Sequence, residues 1–306
     1  MLNVTVDDVV VGLSYSVLSL IELFFYIPCL IIMWTDPQLK DHSCIRMMFH
    51  LGLTDVWNMC FQTLTGALTI TRAWDHMPLW LNNLIGSTHN GISWFSYIVI
   101  THAIALNRSA KFCLPIGVYD FLFSHTATTV WMSVCWMYGL LWWLVYMSPW
   151  GGFIFYPSLY GYYFDVNAPW YDLLDKVSWT QNLINLKLAA VWYAIMFIYI
   201  RVKYRSNENA SSTHSNERMI LYQSGIICYY TLIWDQYWHL IPFLYIEHKF
   251  KYAYAVGNLL WVSNSGINPL VYLTMNKTIK KKVRRMWRKW RVHDAASATA
   301  QRRRHI

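Results

Sequence analysis

Asn268-Pro269-Leu270-Val271-Tyr272 stands at the end of the last long apolar run and is followed at once by a strongly basic stretch, Asn276 to Arg291. Inside an apolar helix Pro269 removes a backbone donor and loosens the turn before it, and the Asn268 amide can serve the freed groups. The chemistry on offer is a change of hydrogen-bond partners at a hinge rather than the making of bonds. Two ionisable side chains extend it. Asp55 lies within an apolar run, where a carboxyl is costly unless it faces a bundle interior and finds partners; Asn264 and Asn268 are the natural ones. Arg108 closes another apolar run, and a guanidinium there can exchange an intrahelical or cross-helix partner for the helix of an entering protein. Asn107 precedes it, so no adjacent acid can pair with it, which leaves Glu217 as the candidate partner. Tyr272 adds a hydroxyl able to change partners as its helix shifts around Pro269. The plainer roles are an anchoring cation for Arg108 and an interfacial aromatic for Tyr272. No nucleophile–base set, metal-ligand spacing or phosphate loop accompanies these residues, so neither an enzyme nor a cofactor or metal is expected.

The elements that must hold these residues are long apolar helices. Of the 306 residues 56% are hydrophobic, 18% aromatic and only 13% charged, too apolar throughout for an ordinary soluble domain. Seven runs long enough to cross a bilayer, about 20 residues each, fall near 10–34, 45–70, 80–107, 127–148, 178–202, 219–245 and 252–275. The expected fold is an all-α membrane protein: a short N-terminal segment 1–9, a seven-helix bundle over 10–275, and a tail 276–306 that begins with an amphipathic helix. The first run follows Asp7 and Asp8 rather than a basic stretch and exceeds a signal-peptide core, so it reads as a retained helix. With the N-terminus outside, twenty of the twenty-five Lys and Arg fall on the inner side, twelve of them from Lys277 onward; the positive-inside rule selects that orientation. The net charge of +9 therefore marks a membrane flank and not a nucleic-acid surface. Asn3-Val4-Thr5 becomes an outer glycosylation sequon. Ile279, Val283, Met286, Trp287 and Trp290 form one apolar stripe on an otherwise basic helix, which should lie on the inner leaflet against anionic lipid. The six cysteines show neither metal spacing nor a disulfide framework. The longest outer loop, Pro149 to Val177, is rich in Trp, Tyr, Phe, Gly and Pro; it predicts an ordered cap over the bundle mouth, with an interfacial aromatic belt as the alternative.

Three motifs, in their order and depth, resemble the rhodopsin-like G-protein-coupled receptors. His50-Leu-Gly-Leu-Thr-Asp55 matches that family's segment-two aspartate, Ala105-Leu-Asn-Arg108 its Asp-Arg-Tyr arginine, and Asn264-Ser-Gly-Ile-Asn-Pro-Leu-Val-Tyr272 its Asn-Pro-x-x-Tyr. Finer features are similar to the nematode serpentine chemoreceptors, most of all the Srt class, with the Srx class as the alternative: the Ala-Leu-Asn-Arg ending, Tyr163-Phe164-Asp165 in the second outer loop, Gln223 to Cys228, and Tyr272 to Ile279. The resemblance implies a plasma-membrane chemosensory receptor that binds a small molecule and activates a heterotrimeric G protein. The chain also departs from the wider pattern. Segment one lacks the usual asparagine and segment six the Cys-Trp-x-Pro. No cysteine stands where the family's outer disulfide would form, and Tyr97 occupies a place where a serine often serves a sodium ion, which argues against sodium at Asp55.

In the resembling family, segments three, five, six and seven line the ligand cavity. Here those segments carry a polar set in their outer halves: His89 and Asn90, then Gln181, Asn185 and Lys187, then Asp235, Gln236 and His239, and finally Asn258. At ~1.5 Å per residue, Lys187 stands roughly 21 Å above Arg201 and Asp235 roughly 25 Å above Arg218, so the two can pair across helices. The set predicts a small polar or amphipathic ligand. For any single member, helix-packing polar glue, or snorkelling in the case of Lys187, is the competing role. A seven-span transporter or ligand-gated channel subunit is the alternative function. A transporter should show paired broken helices in its two halves, and the Asn-Pro break has no second partner.

Overall fold

The computed structural model describes residues 4–205, 212–244 and 246–289. Asn3 and Trp290 lie outside them. Thr5 opens α1 (Val6–Thr35) with a reciprocal capping box to Asp8. α2 (Ser43–Ile70) follows after a short turn. The third crossing is built in three pieces: α3 (Leu79–Ser87), one π-helical stretch over Thr88–Trp94, and α4 (Phe95–Cys113). A short α5 (Ile116–Leu122) leads to α6 (His125–Met147), whose first turn is capped by the Ser124 hydroxyl. α7 (Tyr171–Arg205), α8 (Ser212–Phe243), a turn of helix α9 (Ile246–Lys249) and α10 (Ala253–Met275) complete the bundle. Neighbours close a ring through α1, α2, α6, α4, α7, α8 and α10, with α10 returning to both α1 and α2.

Three of these helices, Val6–Thr35, His125–Met147 and Tyr171–Tyr199, are long and apolar enough to cross a membrane by length and composition alone. The others dilute their hydropathy with polar side chains turned inward: Asp55, Asn58, Gln62 and Thr65 on α2, and Asn258, Asn264 and Asn268 on α10, are all buried. On α1 the outward face is instead apolar, with Val10, Leu13, Val17, Leu20, Ile21 and Phe24 exposed. This is the arrangement of a bundle with an oily perimeter and a polar axis.

The expected cap is an antiparallel hairpin. β1 (Phe153–Tyr156) pairs with β2 (Gly161–Phe164), Phe155 opposite Tyr162. β1 turns its free edge to α3, where no third strand waits. The Asn82 amide takes that role, accepting from Phe155 N–H at 2.8 Å and donating to Phe155 C=O at 2.9 Å. Asn83 Oδ1 accepts from Phe153 N–H at 2.9 Å. Trp74 stacks on Phe155 with ring centres 4.6 Å apart. The six cysteines are all free, so the cap is fastened by amides and rings.

At the opposite end Asn276 breaks the chain direction. Its Oδ1 accepts from the N–H groups of Thr278 and Ile279 at 3.1 Å, capping α11 (277–289). Ile279 and Val283 on the apolar stripe are fully buried, and Trp287 stacks on Phe24 of α1 at 6.1 Å. Lys282 bonds to both Asp36 and Gln38 beyond α1, and its ammonium holds the Asp36 carboxyl below the usual carboxylate range.

Close backbone approach fixes where α6 meets the third crossing. A Cβ on Gly91 would lie 2.7 Å from Trp143 Cα and 2.8 Å from Trp143 N, atoms of another helix backbone that cannot swing aside. Gly91→Ala should therefore lower the thermal midpoint of the purified protein, with a cost of about 1–3 kcal/mol or more. Gly225 has nothing within 4 Å of the same position, so Gly225→Ala should leave the midpoint unchanged or raise it slightly.

Candidate functional site

The polar axis begins at Asp55. Its Oδ2 accepts from Tyr26 OH at 2.7 Å and from Asn268 Nδ2 at 2.6 Å, tying α1, α2 and α10 together at one fully enclosed carboxyl. Asn268 thus serves α2 and not the backbone freed by Pro269, and α10 runs on unbroken past the proline to Met275. Asn264 does not join Asp55. Its Oδ1 accepts from Thr231 Oγ1 at 2.7 Å, and Thr231 shares a 3.0 Å bond with Tyr97 OH, so Asn264 and Tyr97 belong to a separate link among α4, α8 and α10. A third link runs from Ser265, which accepts from Asn58 Nδ2 at 2.8 Å, to His89, which bonds to Asn58 Oδ1. Glu22 was not singled out in the sequence, although the signal that marked Asp55, an acid within an apolar run, marks it equally. It packs from α1 against Gly266 of α10, where a side chain on residue 266 would collide with it.

Arg108 is buried at the end of α4, and it reaches sideways rather than along its own helix. Its Nε donates to Cys44 Sγ at 3.4 Å and a terminal nitrogen to Met48 Sδ at 3.5 Å, both on α2. Glu217, the partner expected for it, has its side chain outside the described residues. Asn107 donates to Ser43 Oγ at 3.2 Å and Tyr119 OH at 3.4 Å, fastening α5 to the start of α2. Arg108 and Tyr272 line one small cavity of about 20 Å³, roughly the room of a single water. The buried Tyr272 ring lies edge-on to Tyr26, 6.3 Å between centres, next to the Asp55 node.

A second cavity lies under the hairpin, between the third crossing, α7, α8 and α10. Asn90, Asp235 and His239 line it. The rest of the expected set is placed elsewhere. His89 is fully buried in the core, stacked on Trp261 with centres 4.2 Å apart and parallel to Phe61 at 5.8 Å. Gln181 bonds to Tyr138 of α6, and Asn185 donates to the Gln181 carbonyl at 2.8 Å within its own helix. Gln236 donates to Asp235 from the same helix at 3.3 Å. Lys187 is exposed and does not line the cavity. Asp235 meets Asn182 at 3.4 Å and His239 at 3.6 Å in its place. Asn258 donates to Tyr160 C=O at 3.1 Å and to Tyr15 OH at 3.3 Å, which fastens the hairpin turn to α1 and α10. Tyr160 takes a left-handed backbone there, φ 53°. The cavity residues that the sequence did not mark as ligand-binding are Asp175, Ser178 and Asn182 on α7, four tryptophans, Pro242, and Phe153, Tyr163 and Phe164 of the hairpin. Among the described residues no three His, Cys, Asp or Glu side chains group to hold a metal ion.

No curated protein matches the sequence. The fold is similar to the crystal structure of squid rhodopsin, with a TM-score of 0.76 over 92% of this chain and 85% of that one. At 14% identity that likeness speaks for the fold alone. The sequence matches the family described as serpentine type 7TM GPCR chemoreceptor Srt over residues 2–294. With its long apolar helices, the chain is an integral multi-pass membrane protein, and it belongs to the Srt family of serpentine chemoreceptors.

Proposed function

We propose that the chain is a plasma-membrane receptor that binds a small chemosensory molecule in the cavity under the hairpin and activates a heterotrimeric G protein at the opposite end. The N-terminus and hairpin face outward and α11 faces the cytosol, where its Lys and Arg meet anionic lipid. The observation that carries the reading is a contiguous chain of contacts between the two ends. Trp261 lines the hairpin cavity and stacks on His89, His89 bonds to Asn58, and Asn58 bonds to Ser265 on the helix that carries Asn268. Asn268 meets Asp55, Asp55 meets Tyr26, and Tyr26 lies against Tyr272, which shares a cavity with Arg108. A ligand that moves Trp261 or the hairpin thereby biases the packing of α10 against α1 and α2. At that end Arg108 exchanges its present partners for those of an entering helix.

Purified receptor in lipid nanodiscs, assayed for nucleotide exchange on a panel of G proteins, tests this. The wild-type chain should accelerate exchange on at least one member, and Arg108→Ala should abolish the acceleration while leaving the thermal midpoint close to wild type. Ion current or solute flux in liposomes without any G protein, together with no exchange on any member, would establish the transporter or channel alternative.

A further inference from the structure

We infer that the cavity under the hairpin takes a small organic cation, a protonated or quaternary amine, with its charged head between Asp235 and Asp175. The inference rests on the receptor reading for its meaning, and it names the ligand class. The cavity is short of donors. Asp235 is 2% exposed, yet among the described residues its carboxylate is met only at 3.3 Å by Gln236, 3.4 Å by Asn182 and 3.6 Å by His239. Charge-assisted bonds to a carboxylate close to about 2.7–2.9 Å when the partner fits. Asn182, 4% exposed, leaves its Oδ1 with no hydrogen-bond partner. Asp175 receives one long bond, 3.4 Å from Tyr163 OH. Among the described residues lining the cavity, His239 is the one basic side chain, against two carboxyls, and none is Lys or Arg.

The apolar half of the wall is indole. Trp94, Trp234, Trp238 and Trp261 line the same space, with Trp94 and Trp234 edge to face at 4.7 Å. Trp234 already spends its N–H on Gly257 C=O at 3.0 Å, so it offers the cavity its ring. Ring faces attract cations and repel anions. An anion would meet two carboxyls; a purely apolar molecule would leave Asp235 and Asn182 buried and unmatched. A cation satisfies acceptors and rings together. At about 40 Å³ the space holds roughly two or three waters. It is the size of a head group, and the body of the ligand enters by displacing the hairpin side chains Tyr163 and Phe164.

The test uses the full chain in nanodiscs with choline and 2-phenylethylamine as probes, against their neutral counterparts 3,3-dimethylbutan-1-ol and 2-phenylethanol. At least one cation should raise the thermal midpoint saturably where its neutral counterpart does not. Asp235→Asn should weaken that binding about thirtyfold or more, and Trp238→Leu roughly threefold or more. Asp175→Asn serves as the second carboxyl variant if Asp235→Asn does not fold. Equal binding of the neutral counterparts, unchanged affinity in the folded carboxyl variant, or no response to either amine would overturn the inference. G-protein exchange that still requires Arg108 would in that case keep the receptor reading standing. Cation binding in a chain that never drives exchange would do the reverse.

Discussion

Asn82→Ala should detach the hairpin from the bundle and lower stability by about 2–6 kcal/mol, because the two Phe155 backbone groups it serves are each left buried and unpaired, at about 1–3 kcal/mol apiece. In an antiparallel pair the residues alternate between bonding across the ladder and pointing outward. Phe153 and Phe155 are the outward ones, since their N–H groups go to Asn83 and Asn82. A free strand edge inside a protein must find partners, and a primary amide is the one side chain that offers a donor and an acceptor side by side. Asn82→Asp keeps the acceptor for Phe155 N–H and loses the donor for Phe155 C=O, so it should fall between wild type and Asn82→Ala. Hydrogen exchange at the Phe155 amide reads the effect directly: protection should be lost in Asn82→Ala while the amides of α6 stay protected. A reducing agent should leave both the midpoint and the exchange pattern of the wild-type chain unchanged, because all six cysteines are free thiols. Wild-type protection in Asn82→Ala would show that the remaining fastenings, Asn83 to Phe153, Asn258 to Tyr160 and the Trp74–Phe155 stack, hold the cap without it.

The helices of the bundle were legible in the sequence, and the direction each side chain faces often was not. Each of the seven apolar runs falls on a helix of the bundle, because a stretch of that length and composition has few other ways to satisfy its backbone. Asp235 and His239, four apart, were bound to share a face, and they do. The third crossing defeats that kind of projection. A π-helical stretch over Thr88–Trp94 takes up extra chain without a full turn of α-helix, so residues on its two sides lose the expected phase. His89 consequently points into the core and Asn90 to the cavity. On α7 the polar residues at 181 and 185 share one face and meet Tyr138 and their own backbone, while Asn182, one step round, meets Asp235. Nothing local separates those faces; only the neighbouring helix does. The amide clamp on the hairpin left no more trace than two adjacent asparagines.

Asp55→Ala should lower stability by about 2–6 kcal/mol, since Tyr26 OH and Asn268 Nδ2 each lose a buried acceptor at about 1–3 kcal/mol, and should abolish ligand-driven exchange. Loss of activity in that variant alone cannot separate a broken switch from a broken fold. The asymmetry of buried hydrogen bonds supplies the separation: stranding one partner is costly, whereas replacing every partner by an apolar group of similar shape can be nearly neutral. Asp55→Leu combined with Asn268→Leu and Tyr26→Phe removes the acceptor and both donors together. That triple variant should regain most of the stability lost in Asp55→Ala, as measured by the thermal midpoint, because no polar group of the node remains stranded. It should still fail to drive nucleotide exchange, because α1, α2 and α10 then meet through side chains with one packing and no alternative partners. Asp55→Asn lies between the two, keeping one acceptor for one of the two donors. Recovery of exchange along with stability in the triple variant would reduce Asp55 to helix glue and move the switch to the Arg108 and Tyr272 end of the bundle.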